Sequence, residues 1–573
     1  MMPSGSRNRA VPACGVTQPW TQSIATAPCF GGGDANGEGG ATGDVATEVG
    51  GTAEADGGDA GGELDDGSSP PPPLHAASSN DTDTMCSASL RVITGAPDDG
   101  LRGYRPEERL VGWAPMPADH ERITRRGFLN RSAMAVAGAT LFACTGGRPI
   151  TRVTETPSAL LETRWPIKQV VYLMMENRSF NNLFGRFPGA NGTMTGVMAG
   201  AEFPLIDCPD WLPGDLPHDR AAYLNCFAGG SYDGFNTGKF GDPFAYSVLN
   251  EHQIPAYFDW AREYVLSDHF FSSVAGPSYP NHFFFVAGQS GGTLDNPENI
   301  ETKKLPDGRN FKSWGCDAVG DNVFVFTKDD HGNLTKHDTC FDFPTVPEQL
   351  SGIGVDWAYY AAQPGQSGYF WNALNGIGPV FHSEMFHEHT RSVDALLADI
   401  KANRLPPVTW ITPRFELSDH PPESTCFSHN WLADVVNAMM RSPMWKHTAL
   451  FITWDEWGGF YDAVPPPAVD DVGLGFRVPM LTLSPYAKRG YIDDAVGEFS
   501  SPLKFIEDNW GLPHLTDRIR TTHNFEHVFD FGSAPRTDAK PAPKTERCFG
   551  TPGQFPEGYQ GWPPGTVPDP AAF

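Results

Sequence analysis

The sequence predicts an α/β protein: a doubly wound, mostly parallel sheet sandwiched by helices and carrying a central insert. Three observations predict it. Four short runs are apolar without alternation: 169–175 (QVVYLMM), 407–411 (PVTWI), 449–454 (ALFITW) and 478–483 (VPMLTL). Continuous hydrophobicity marks strands covered on both faces, as in a parallel sheet between helices. Helical patterns lie between the runs, at 392–402 (SVDALLADIKA) and 431–441 (WLADVVNAMMR), so strand and helix alternate. Finally, each run passes straight into polar residues: Glu176-Asn177-Arg178-Ser179, Ser418-Asp419-His420, Asp455-Glu456 and Ser484-Pro485. Doubly wound sheets bind ligands beyond the carboxyl ends of their strands, so acidic groups from distant parts of the chain should converge there. Without a cation that convergence would be costly.

The 573 residues are 40% hydrophobic and 12% aromatic, enough for a large core, but the apolar texture begins only after Arg164. Residues 1–115 are low in complexity: 31–67 is almost wholly Gly, Ala, Asp, Glu and Thr, and 69–73 ends in four prolines. Such a segment cannot bury a core and reads as a disordered extension. Residues 116–146 then read as an export signal. The stretch 122–144 (RITRRGFLNRSAMAVAGATLFAC) sets Arg125-Arg126 before an apolar stretch, 133–143, too short to span a bilayer. The arginine pair resembles the signal for the twin-arginine export machinery, predicting an exported protein that is secreted, periplasmic or attached to the cell surface. Residues 141–144 (LFAC) resemble a lipoprotein cleavage box, which would anchor the chain at Cys144. A translation start at Met116 would give a normal signal n-region; the alternative is that 1–115 is a genuine extension. A catalytic domain is expected over 165–515, with an insert at 293–378 and a loop-rich tail at 516–573.

The formal net charge of −28 excludes nonspecific attraction to nucleic acid. It also repels anionic lipid, but a bound cation can invert the field locally and admit a phosphate-bearing substrate. Six cysteines follow the signal, at 208, 226, 316, 340, 426 and 548, and an oxidising compartment permits disulfides. Neighbours in sequence suggest Cys208 with Cys226 and Cys316 with Cys340, out of fifteen pairings that six cysteines allow.

Four blocks carry a resemblance: 171–185 (VYLMMENRSFNNLFG), 273–288 (SVAGPSYPNHFFFVAG), 408–422 (VTWITPRFELSDHPP) and 451–467 (FITWDEWGGFYDAVPPP). Together, and in this order, they resemble the bacterial phosphoesterase family of phospholipases C and acid phosphatases, which has an alkaline-phosphatase-like core. The resemblance implies that Glu176, Asn177, Asp455 and Glu456 hold a divalent metal ion. Oxygen ligands point to calcium, magnesium or manganese, and histidine participation would shift the choice toward manganese or zinc. It also places the family's nucleophile on Ser278, and an active-site histidine that contacts the phosphate or leaving group on His420. A further histidine is expected before the run at 407–411; of His382, His387 and His389, spacing favours His389. Asp462 and His282 read as supporting or structural residues.

The implied activity is hydrolysis of a phospholipid or a small phosphate ester, with peripheral membrane contact where the substrate is a lipid. An acid phosphatase acting on monoesters is the nearest rival, since phosphatase members carry Ser at the position of Ser278 and many phospholipase members carry Thr. A noncatalytic cell-surface binding protein on the same scaffold would predict loss of Glu176, Ser278, Asp455 or Glu456, and all four are present.

Overall fold

The computed structural model describes residues 162–556, apart from residues 199, 236–243, 330 and 546. The extension 1–115, the signal 116–146 with Arg125, Arg126 and Cys144, and residues 557–573 lie outside the described residues.

Eight strands form the central sheet: β1 (Gln169–Met175), β2 (Val265–Ser267), β3 (Trp357–Ala361), β4 (Thr390–Ser392), β5 (Val408–Ile411), β6 (Thr448–Trp454), β7 (Met480–Leu483) and β8 (Tyr491–Asp493). Their order is β4-β3-β5-β1-β6-β7-β2-β8. The two longest strands, β1 and β6, pair in parallel over seven residues, and every residue of both is buried. Burial on both faces is what the unbroken apolar runs predict. The helices that cover the sheet include α1 (Phe180–Phe184), α2 (Arg220–Phe227), α3 (Pro255–Glu263), α4 (Ser278–Ala287), α5 (Leu396–Lys401), α6 (Thr425–Arg441) and α7 (Ser500–Trp510). Helix α6 starts six residues before the apolar pattern at 431, because Ser424 caps it and the carboxylate of Asp210 accepts from the Cys426 amide at 2.8 Å.

Three expectations need correction. The run at 478–483 forms β7, but β7 is antiparallel to both of its neighbours, so Ser484 leaves the sheet at the opposite edge from Glu176 and Asp455. Its hydroxyl donates to the carbonyl of Thr448, the first residue of β6. The segment 293–378 is not wholly an insert, since β3 lies within it and pairs in parallel with both β4 and β5. Cys208 and Cys226 are buried free thiols, and the disulfides join Cys316 to Cys340 and Cys426 to Cys548. The second bridge ties α6 to the tail, which also sends Ile519, Phe525, Val528 and Phe529 into the core.

Candidate metal and phosphoryl-transfer site

Because β1, β5 and β6 are parallel, their carboxyl ends open at one edge of the sheet. Main-chain hydrogen bonds lock the three loops that follow them. The Glu176 amide donates to the Ser418 carbonyl at 2.8 Å, and the Asp455 amide donates to the Met175 carbonyl at 3.0 Å. The turn after Asp455-Glu456 needs its glycines. Gly458 has φ +63°, and a Cβ there would lie 2.2 Å from the Asn177 carbonyl oxygen; Gly459 has φ +78°, and its Cβ would meet the Leu216 Cβ at 2.6 Å. The backbone therefore closes tightly under Asn177, which is itself left-handed at φ +61°. Helix α1 is capped by Ser179, which accepts from the Asn182 amide, so the Asn177 side chain is not used as a cap.

The acidic residues so assembled are fully buried and poorly satisfied. Glu176, Asn177, Asp455 and Glu456 each have no solvent exposure. Asp455 accepts one bond from the Asn177 amide at 2.8 Å through Oδ1, and Glu456 accepts one from the Gly458 amide at 2.8 Å through Oε2. Both oxygens of Glu176, both amide atoms of Asn177, Oδ2 of Asp455 and Oε1 of Glu456 have no hydrogen-bond partner. Burial, then the charge of Asp455, pushes the Glu176 carboxyl well above the usual carboxylate range; the same two causes act in the same order on Glu456. Buried polar groups in folded proteins are nearly always paired, so a cluster of orphans marks a place that something else completes. A hard divalent cation fits this donor set.

His282 joins the cluster. Its Nε2 stands 3.0 Å from Glu176 Oε1 and 3.9 Å from Asp455 Oδ2, at contact distance but not aligned as a hydrogen bond, and neither ring nitrogen has a partner. Glu176, His282 and Asp455 each present a ligand atom within 4.8 Å of the other two; Glu456 is not of that trio. His282, expected to be supporting or structural, is thus part of the cluster, and the sequence carries a signal for it. His282 lies four residues after Ser278, one helical turn along the same face, and helical side chains lean toward the N-terminus. Burial holds its pKa down at about 4, so the ring is neutral and a competent ligand.

Ser278 is the first residue of α4 and is 1% exposed. The carbonyls of Gly276 and Pro277 both accept from the Asn281 amide group at 3.0 Å, which fastens the turn that presents it. His420 lies near the same edge, its ring 4.7 Å from that of Phe415 and 5.6 Å from that of Trp371. His389 is not brought to this group. Its Nδ1 donates to the carbonyl of Trp357 at 2.7 Å and its ring stacks on the Trp357 indole, at the amino-terminal end of β3 and so at the far edge of the sheet. Asp462, expected like His282 to be supporting or structural, braces the fold: it takes Arg477 in a two-point ion pair and the Asn181 amide at 3.1 Å.

The Phosphoesterase family profile matches residues 167–513, which hold every residue of this site. The chain belongs to the Phosphoesterase family. It is 25% identical over 494 residues to the hemolytic phospholipase C of Pseudomonas aeruginosa, a match covering 73% of this chain and 63% of that enzyme. It is 25% identical over 506 residues to phospholipase C B of Mycobacterium tuberculosis, covering 74% of this chain and 89% of the relative. The chain thus spans less than two thirds of the Pseudomonas enzyme's length. A solved protein of the alkaline phosphatase superfamily from Vibrio parahaemolyticus overlays 65% of this chain and 74% of its own at 11% identity; its TM-score of 0.30 carries no argument about chemistry.

Proposed function

We propose that the chain is an exported, metal-dependent phosphoesterase that hydrolyses phospholipids in the manner of a phospholipase C, with Ser278 as its nucleophile. The observation that carries this is the buried, unsatisfied donor set of Glu176, Asn177, Asp455 and Glu456, joined by His282 one helical turn from Ser278. These residues would hold a divalent cation, which would offset the negative charge of the phosphate and ease loss of a proton from a nearby hydroxyl. Its identity among calcium, magnesium, manganese and zinc is open, with His282 favouring the last two.

The chain's own groups account for the rest. The Ser278 oxygen forms a bond to phosphorus as the bond to the leaving alcohol breaks in line, giving a phosphoserine that water then cleaves. Ser278 opens a ten-residue helix, whose positive N-terminal end favours the phosphate's charge. His420, the histidine that the resemblance assigns to the phosphate or the leaving group, would assist departure of the alcohol. Export through the twin-arginine machinery, directed by Arg125 and Arg126, would put the enzyme in contact with extracellular lipid.

Action on phosphomonoesters, as an acid phosphatase, is the second reading, favoured by the serine rather than threonine at position 278. Assays on phosphatidylcholine and on p-nitrophenyl phosphate, each with and without a chelator, separate them. The proposal expects chelator-sensitive release of diacylglycerol. Turnover of the monoester alone would leave the second reading, and activity indifferent to the chelator would remove the metal from either.

A further inference from the structure

The family profile ends at residue 513, but the chain continues, and its tail folds back onto the loop that follows β5. Asn437 exchanges two hydrogen bonds with Ala542, at 2.8 and 3.0 Å, and Asn430 exchanges two with Thr545, both at 2.9 Å, so the tail runs along α6 toward its first turn. There Cys548 is bonded to Cys426. Residues 549–556 then lie as a strap across a pad made of residues 210–212 and 420–427. The Phe549 carbonyl accepts from the Trp211 indole at 2.8 Å, and the Gly553 amide donates to the Glu423 carboxylate at 3.0 Å. The Trp211 ring is fully buried between those of Phe427 and Phe555, edge-on to both at 6.2 and 5.8 Å. Phe549 and Phe555 themselves are 44% and 47% exposed, so the strap is laid on the surface and can leave without opening the core.

The pad is tied together and carries His420. The Asp210 carboxylate accepts from the Ser424 hydroxyl at 2.7 Å, the Thr425 hydroxyl at 3.0 Å and the Cys426 amide at 2.8 Å, and the Leu212 amide donates to the Pro422 carbonyl at 3.2 Å. The Glu423 amide in turn donates to the His420 carbonyl at 3.0 Å. The strap therefore bears on the loop of His420 through Glu423 on one side and through Trp211 on the other.

We propose that the Cys426–Cys548 bond is a redox latch: closed, it pins the strap and so fixes the loop of His420; open, it releases the strap, and turnover falls. Single hydrogen bonds at a wet surface return less than the cost of ordering the residues that carry them, so the covalent bond is what holds 549–556 in place. The bond is also furnished for exchange. The Asn430 amide group stands 3.1 Å from the Cys548 sulfur and 3.9 Å from that of Cys426, so whichever sulfur leaves as a thiolate meets a donor. Opening takes two electrons and two protons from an external dithiol, which becomes a disulfide as the S–S bond breaks into two thiols; closing passes them to a disulfide oxidant. The effect on turnover rests on the phosphoesterase reading, and the compartment on the export reading. Twin-arginine export carries chains already folded, so this chain would fold where thiols stay reduced and meet oxidants only outside. The latch would then keep the enzyme idle beside the producing cell's own inner lipid.

The test compares oxidised and phosphine-reduced full-length protein, wild type and Cys548→Ser, at equal metal content. Strap position is read by amide hydrogen exchange over 549–556, and turnover on phosphatidylcholine and p-nitrophenyl phosphate. Reducing the wild type should speed exchange in the strap and lower kcat at least ~10-fold with KM little changed, and glutathione disulfide should restore both. Cys548→Ser should behave as the open state from the start and ignore the reductant, which separates this bond from Cys316–Cys340. Should that variant fail to fold, the reversible response of the wild type decides the question. Exchange and turnover that ignore reduction in the wild type, or a folded Cys548→Ser enzyme as fast as the oxidised wild type, would overturn the latch. A strap released by reduction while hydrolysis continues unchanged would sink this inference alone. Redox-dependent exchange with no hydrolysis in either state would sink the proposed function and leave the redox release of the strap standing.

Discussion

Asp419 and Asp455 follow neighbouring parts of one sheet, both are fully buried, and they are treated in opposite ways. The carboxylate of Asp419 accepts from the Tyr257 hydroxyl at 3.0 Å, the Trp454 indole at 2.9 Å and the Ser428 hydroxyl, and Arg178 donates to its carbonyl at 2.9 Å. Asp455 takes one amide, and its second oxygen faces Glu176 and His282 with no donor between them. The first carboxylate is part of the architecture, since its charge is matched by donors the fold supplies. The second is held ready for something the fold does not supply. Burial alone therefore does not separate structural acids from functional ones; the state of their hydrogen bonds does.

The largest expected effect breaks the functional half of this comparison. Ser278→Ala should keep its fold and its metal yet lose roughly three or more orders of magnitude in kcat, because nucleophile, base and metal act as one unit. Ser278→Thr should retain part of the rate. Stereochemistry at phosphorus checks the same point: two displacements through a phosphoserine retain configuration, and inversion would leave water as the nucleophile.

Next comes a pair of matched substitutions. Asp419→Asn removes a charge that its surroundings were built to receive and should cost about 2–4 kcal/mol of stability by denaturant melting, with metal content unchanged. Asp455→Asn should do the reverse, lowering metal content and activity together while leaving the melt of the stripped protein intact. If both variants lose stability and keep metal, the distinction drawn between the two carboxylates is wrong.

A smaller effect concerns His429, which lies on the satisfied side of the molecule and accepts from the Ala256 amide at 2.9 Å. Burial, outweighing the hydrogen bond with Asn430 and aided by the positive charge of Lys544, depresses its pKa to about 4. The unfolded chain then binds the extra proton between about pH 6.5 and 4, so stability should fall as pH drops through that window. The loss from this residue should reach at most ~3 kcal/mol, and a His429→Gln variant should flatten that part of the stability-against-pH curve.

The smallest effect sharpens the comparison from the other side. In metal-stripped protein, Glu176→Gln removes one of two facing buried carboxylates and should raise stability by about 1 kcal/mol, whereas with metal bound it should lower it. A loss under both conditions would mean that Glu176 is paired in the stripped protein after all.

By itself the sequence determined the class of the fold and marked most of the residues that meet in the candidate site. The strands ending at Met175, Ile411 and Trp454 were legible because burial on both faces demands unbroken apolar residues, a property written locally in the chain. The polar residues beyond them were legible for the same reason, as abrupt changes of composition. Tertiary structure alone decided what depends on direction and proximity. Met480–Leu483 reads like its neighbours but runs antiparallel, because strand polarity is set by how the connections cross the sheet and not by side chains. Cys426 found Cys548, 122 residues away, rather than a neighbour in sequence, since pairing follows the folded path. His282 joined the acidic cluster, and His389 did not, because a lone histidine carries no local mark of what it will face; only the packing of α4 brings the His282 imidazole to the carboxyl edge.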